Sequence, residues 1–116
     1  MIDSFLRYLE FEKRYSAKTI RSYETDLTQF LTFLKANYST PDPDSANFGM
    51  IRSWIVQLSE ENLNATSINR KIACLRSFFK FLMRQGIITK DPTLKVKVLK
   101  TKKKLPQFVN EEEMAA

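Results

Sequence analysis

Residues 66–92, TSINRKIACLRSFFKFLMRQGIITKDP, constrain the fold most, because their pattern predicts one long amphipathic helix with a defined end. Asn64 or Thr66 begins this helix, and Gly86 is placed to cap its end before Asp91-Pro92 prevents it from resuming. Its apolar residues recur at helical spacing and form one stripe: Ile68, Ile72, Leu75, Phe79 and Leu82. That stripe predicts the side of the helix that lies in a core.

The opposite side of this helix carries no acid. It combines cations, hydroxyls, an amide and a methyl group: Thr66, Asn69, Arg70, Ala73, Ser77 and Lys80. Such a face suits the major groove of DNA, because cations bind phosphates and short polar tips reach base edges. A solvated face on a core helix is the alternative, and this helix alone does not separate the two.

Three further helices are predicted, over residues 3–13, from the N-cap Ser16 to residue 35 or 36, and over 48–61. A loop at 37–47, with its Pro-Asp-Pro-Asp run, separates the second from the third. Trp54 is expected to anchor the core. The second helix also has an acid-free side, with Glu24 and Asp26 expected on its flanks. That side carries Lys18, Arg21, Ser22, Thr25 and Gln29. Two such faces in a small domain indicate a shared partner.

Composition supports a single all-α domain. The chain has 116 residues, 43% of them hydrophobic, and its 2 glycines and 4 prolines leave room for long helices. No apolar run approaches the roughly 18 residues that span a bilayer, and the first residues do not resemble a signal peptide. We therefore expect a cytoplasmic protein with no membrane partner. The lone Cys74 is expected to be a buried structural thiol.

Several classes of active site are excluded within this chain. It has no histidine, so Ser-His-Asp and Cys-His catalysis and histidine-containing zinc sites are ruled out. Gly49 and Gly86 stand alone, so a glycine-rich phosphate loop is missing. The cysteine and the carboxylates do not have metal-ligand spacing. We expect no cofactor, no metal and no enzymatic activity from this chain by itself.

The net charge of +6 is concentrated in one segment. Residues 95–104, KVKVLKTKKK, hold six lysines and no acid. Nucleic acid is the commonest partner for such a segment and an anionic membrane surface the second, while a solubilising tail is the plain alternative.

The predicted structure of the chain changes after Pro92. Residues 105–108 are predicted to be extended, and Asn110 followed by three glutamates is typical of a helix start. We therefore expect a helical domain at 1–92, then at 93–116 a basic linker and the start of a second domain that the fragment lacks.

Four segments, in order along the chain, carry a likeness to a known family: FLRYLEFEKRYSAKTIRSYETDLTQFLTFL, NATSINRKIACLRSFFKFL, GIITKDPT and KKKLPQFVNEEEM. In tyrosine recombinases, the counterpart of the first segment is the first two helices, and that of the second segment is the fourth helix. The third segment resembles the chain that leaves the fourth helix, and the last resembles the linker together with the start of the catalytic domain. This is the phage integrase family, and the likeness is closest to its Xer-type members. It covers the whole chain but only about the first third of such an enzyme.

The resemblance implies an all-α, four-helix bundle-like core-binding (SAM-like) domain with a basic C-terminal linker. In the family this domain and the catalytic domain clamp double-stranded DNA, and its second and fourth helices face the major groove. The first helix helps to contact other recombinase protomers in a tetrameric synapse. The family's catalytic residues, including the nucleophilic tyrosine, would belong to the second domain.

Mapped onto this chain, the resemblance marks DNA-facing candidates on two helices and in the linker. They are Lys18, Thr19, Arg21, Ser22, Thr66, Asn69, Arg70, Ser77, Lys80, Lys100, Lys102 and Lys103. Asn69 and Arg70 are assigned to bases, because both can bond bidentately to purine edges. Lys18, Arg21 and Lys80 are assigned to phosphates. A helical protein-protein interaction module with a basic tail remains the alternative function.

Overall fold

The computed structural model describes residues 2–39 and 42–99. Within these residues four α-helices follow one another: α1 (Ile2–Phe11), α2 (Ala17–Tyr38), α3 (Phe48–Glu60) and α4 (Ala65–Arg84). The described part of the chain contains no β-strand, so the all-α prediction is confirmed. None of the described helices is both long enough and apolar enough to cross a membrane.

Side-chain caps set three helix starts, of which those of α2 and α4 were predicted. Ser16 Oγ accepts a hydrogen bond from the Thr19 amide at 3.2 Å, and Asn64 Oδ1 accepts one from Ser67 at 2.8 Å. Asn47 does the same for α3 through the Met50 amide at 3.0 Å. Each side chain satisfies an amide that has no partner within the first turn of its helix. Gly86, with φ of 74°, ends α4 in the left-handed region that glycine adopts without steric cost.

Helix α2 extends beyond its predicted end, through Asn37 to Tyr38. The Asn37 amide donates to the Phe33 carbonyl at 3.0 Å, and the Tyr38 hydroxyl donates to Ser53 Oγ at 3.0 Å on α3. These contacts stabilise a last turn that falls within the loop predicted at 37–47. The loop itself holds a short 3₁₀ helix, Pro43–Ser45, where the sequence had predicted no helix, because proline fits a first helical position. Helix α1 ends at Phe11, two residues earlier than predicted.

Helix α4 is central to the core. The predicted stripe is buried, but the buried arc is wider than predicted, because Phe78 and Phe81 are also covered. Phe5 of α1 contacts both of these rings, with centroids 5.3 Å and 5.5 Å apart. On the other side Trp54 of α3 lies against Phe30 of α2 at 5.1 Å, which confirms its role in the core. Helix α4 thus joins the other three helices into one hydrophobic cluster.

Cys74 is buried, as predicted, with its Sγ donating a 3.7 Å hydrogen bond to the Tyr23 carbonyl. Burial, with a smaller contribution from the nearby Asp26 carboxylate, raises the pKa of the thiol to about 12. The reactive thiolate is therefore scarce in the folded protein.

We expect Cys74 to resist an aromatic disulfide reagent at pH 8 in the folded protein and to react fully in denaturant. The reaction is followed by the absorbance of the released thiol, with the denatured chain as the control. Reaction of the folded protein as fast as that of the denatured one would contradict the burial of this side chain.

Candidate nucleic-acid interface

Helices α2 and α4 pack antiparallel, and this packing positions both predicted polar faces. Tyr23 contacts Cys74, whereas Gln29, farther along α2, contacts Lys71, earlier along α4. Residue numbers therefore rise on one helix as they fall on the other. As a result the start of α2, with Lys18, Arg21 and Ser22, lies toward the end of α4 that carries Ser77 and Lys80.

The candidate residues on these helices are at least partly accessible. Five are exposed: Lys18, Arg21, Thr66, Arg70 and Lys80. Four are half-buried: Thr19, Ser22, Asn69 and Ser77. Lys100, Lys102 and Lys103 lie outside the described residues. The predicted α4 face is therefore exposed at Thr66, Arg70 and Lys80 and half-buried at Asn69 and Ser77, and Asn69 and Arg70 also make contacts within the protein.

Asp26, which was expected on a flank of the acid-free face of α2, is buried between α2 and α4. Lys71 Nζ donates to Asp26 Oδ1 at 2.7 Å and to Gln29 Oε1 at 2.7 Å, and both charged side chains are nearly inaccessible, at 6% and 2%. The pairing offsets part of the cost of removing both charges from water, although Asp26 Oδ2 is buried without a hydrogen-bond partner. It also removes the Asp26 charge from the outer surface.

Arg70 lies at the edge of this buried pair. Its Nη2 is 3.5 Å from Asp26 Oδ1, while the side chain remains 57% exposed. The guanidinium is thus tethered at one nitrogen and presents its other donors to solvent. This geometry leaves Arg70 available for a base or a phosphate.

Asn69 is held by the segment that follows α4. Its amide nitrogen donates to the Leu99 carbonyl at 2.9 Å, and its oxygen accepts from the Leu99 amide at 2.7 Å. A bidentate contact with adenine would require the same two atoms. The base contact assigned to Asn69 therefore stays a prediction that needs both internal bonds to break first.

Residues 93–99, which we call the exit segment, pack against the helices. Thr93 and Val96 are buried, and Arg76 donates from its guanidinium to the Val96 carbonyl. Lys95 and Lys97 are exposed. The domain boundary at residue 92 stays a prediction, but the described chain beyond it lies on the helical body. The predicted extended and helical stretches at 105–108 and from 110 onward fall outside the described residues.

Sequence reasoning missed Lys71 and Arg76, although a signal for Lys71 was present. Lys71 lies between Ile68 and Ile72 on the apolar side of α4, and Asp26 directly precedes Leu27 on the apolar side of α2. Opposite charges on two buried arcs indicate a buried pair. Among the described residues, no group of three or more possible metal ligands comes together.

Comparison with known proteins places this geometry in a family. The chain is 37% identical over 113 residues to the tyrosine recombinase XerC of Lacticaseibacillus casei, covering 97% of this chain and 38% of that protein. It is 36% identical over 110 residues to XerD of Listeria innocua, covering 95% of this chain and 37% of that protein. The chain thus spans under two fifths of the length of these relatives.

A solved structure shares the fold. The integrase from mycobacterium phage Brujita superposes with a TM-score of 0.76 over 92% of this chain and 34% of that one, at 20% sequence identity. The family model for the phage integrase N-terminal SAM-like domain matches residues 2–86, which include all four helices. The chain therefore belongs to the phage integrase N-terminal SAM-like domain family, as found in the Xer tyrosine recombinases.

Proposed function

We propose that this domain binds double-stranded DNA through the outer faces of α2 and α4. The observation that supports this most is the antiparallel packing of the two helices, which puts Lys18, Arg21, Arg70 and Lys80 on neighbouring outer faces. The acid that contacts Arg70 is buried against Lys71, so it does not present a free negative charge to a phosphate. Cationic faces of this kind attract the DNA backbone by releasing condensed counterions.

The proposal gives the exposed side chains different roles. Lys18, Arg21 and Lys80 bind phosphates, and Arg70 reaches a base edge. Shorter hydroxyl side chains line the same faces: Thr19, Ser22, Thr66 and Ser77. The basic linker with Lys100, Lys102 and Lys103 adds phosphate contacts. Sequence preference in this scheme depends on α4, and affinity depends on the cations of both helices and the linker.

In the whole protein, we propose that the domain positions a site-specific tyrosine recombinase on its recombination site. The relatives it matches are recombinases more than twice its length. Strand cleavage and joining would therefore belong to the remainder of the protein. Other recombinase protomers on the same DNA would be its protein partners, and the cytoplasm its place of action.

Arg70→Ala is expected to weaken binding to a duplex with a candidate inverted-repeat recombination site by about 1–3 kcal/mol. The loss should be smaller on a scrambled duplex, because a base contact is useful only at its own base pair. Fluorescence anisotropy across a salt series measures both affinities. Arg52→Ala, an exposed arginine on α3, is the matched control, because it removes the same charge from a different helix.

The salt series also distinguishes a base contact of Arg70 from a general loss of positive charge. The logarithm of affinity should fall with the logarithm of salt by about 0.9 per phosphate neutralised. If Arg70→Ala matches Arg52→Ala on both duplexes, Arg70 does not read a base. If the unaltered domain binds neither duplex even at low salt, the DNA function itself is wrong.

A protein-interaction module is the second candidate function. An apolar groove of about 620 Å³ runs between α3 and the exit segment, lined in part by Phe48, Ile55, Val56 and Val96. Phe48 and Val56 are exposed there. Failure of all DNA binding would favour this groove as the working surface of the domain.

A further inference from the structure

The exit segment runs back along α4 in the opposite direction. Arg76 binds the Val96 carbonyl, and Asn69, earlier on α4, binds Leu99, later in the chain. The two anchors are seven residues apart, which is about two helical turns and therefore the same side of α4. Along the axis they are separated by about 10.5 Å.

The spacing of the anchors matches the reach of the chain between them. Three extended residues, from Val96 to Leu99, span roughly 10 Å. Asn69 holds both backbone groups of Leu99, as a neighbouring β-strand would, while Val96 is only 5% exposed against the core. The exit segment is therefore held at Val96 by packing and by Arg76, and at Leu99 by both hydrogen bonds from Asn69.

This arrangement gives the outer face of α4 two borders. Arg70 marks the side next to α2, because it contacts Asp26. Asn69 and Arg76 mark the side next to the exit segment. Leu99 therefore lies beside the first half of the polar face, and Lys100 is bonded directly to it.

We infer that Asn69 and Arg76 are positioning residues, which hold the exit segment along α4 and so fix where the lysine-rich chain begins. The inference rests on the proposed function only for the role of the lysines, which it takes to be phosphate contacts with a duplex bound on α4. Asn69 contributes to DNA binding through Leu99 and not by touching a base.

Hydrogen exchange of the Leu99 amide tests the holding contact without DNA. We expect Asn69→Ala to lower the protection of this amide by about tenfold, the loss that corresponds to one hydrogen bond of typical net strength. Asn69→Asp keeps the oxygen that accepts from Leu99 but sets a second oxygen against the Leu99 carbonyl, so it should retain only part of the protection. Thr66→Ala, one turn earlier on the same face, should leave it unchanged. Equal protection of Leu99 in the unaltered chain and in Asn69→Ala would overturn the inference.

DNA binding tests whether Asn69 contributes to affinity by holding the exit segment. We expect Asn69→Ala to weaken binding to site and scrambled duplexes by the same factor and to make the salt dependence less steep. Loss of site preference alone, at an unchanged salt dependence, would mean that Asn69 reads a base and would overturn its positioning role. If the unaltered domain binds no duplex, the proposed function fails, and the exchange of Leu99 still decides whether Asn69 holds the exit segment.

Discussion

Lys71→Met is expected to lower the free energy of unfolding by about 3–5 kcal/mol, the typical cost of removing one partner from a buried ion pair. Methionine fills a similar volume, so the loss comes mainly from Asp26, whose carboxyl group is left without its ion-pair partner in a site with almost no access to water. Arg70 is a poor substitute, because it approaches Asp26 only to 3.5 Å and stays mostly in solvent. Urea unfolding at pH 7, followed by circular dichroism, measures the change.

Two further variants test whether the loss of stability comes from breaking the Asp26–Lys71 ion pair. Lys80→Met removes an exposed lysine from the same helix and should change the free energy of unfolding by no more than about 0.5 kcal/mol. Asp26→Leu combined with Lys71→Met removes both charges and should recover much of the lost stability, because an apolar pair carries no desolvation cost. A Lys71→Met domain as stable as the unaltered one would show that Lys71 does not compensate Asp26.

Phe5→Ala is expected to destabilise the domain by about 3–5 kcal/mol, the range for an aromatic side chain removed from a packed core. Phe5 is completely buried and contacts the rings of Tyr8, Tyr23, Phe78 and Phe81. Its removal leaves a cavity where α1 meets α2 and α4. The same urea titration measures the loss, which is a large part of the stability of a typical small domain.

Phe11→Ala is the matched control for this prediction. Phe11 lies on the same helix but is 69% exposed, so its loss should cost little. The loss of stability in Phe5→Leu should lie between those of Phe5→Ala and Phe11→Ala, because leucine refills part of the cavity. Equal effects of the Phe5 and Phe11 substitutions would mean that α1 is not packed through Phe5.

The sequence predicted the features of this fold that depend on neighbouring residues. Ser16 and Asn64 bond to amides three residues away, and Gly86 adopts its own backbone angle, so these three helix ends are encoded locally. Helical periodicity likewise indicated which arc of each helix is buried. These features require no knowledge of how the helices pack.

The features that the sequence did not reveal join residues that are far apart in the chain. Asp26 and Lys71 are 45 residues apart, and Asn69 and Leu99 are 30 apart. A polar residue beside an apolar stripe is indistinguishable from a solvated one until the opposing helix is placed. Asn69 was therefore assigned to an adenine that it could reach in principle, while its amide is engaged with Leu99. The family resemblance indicated the polar faces of α2 and α4, but it did not indicate the Asp26–Lys71 and Asn69–Leu99 contacts.

The central place of α4 has a consequence during synthesis. The three earlier helices turn Phe5, Phe30 and Trp54 toward a core that α4 completes, and α4 is the last of the four described helices to be made. At the roughly 5–20 residues per second of translation, its 20 residues take about one to four seconds to appear. Until then the nascent chain exposes aromatic surface that other chains or chaperones can bind. A chain interrupted before residue 65 should aggregate, and the domain should fold only after α4 has left the ribosome.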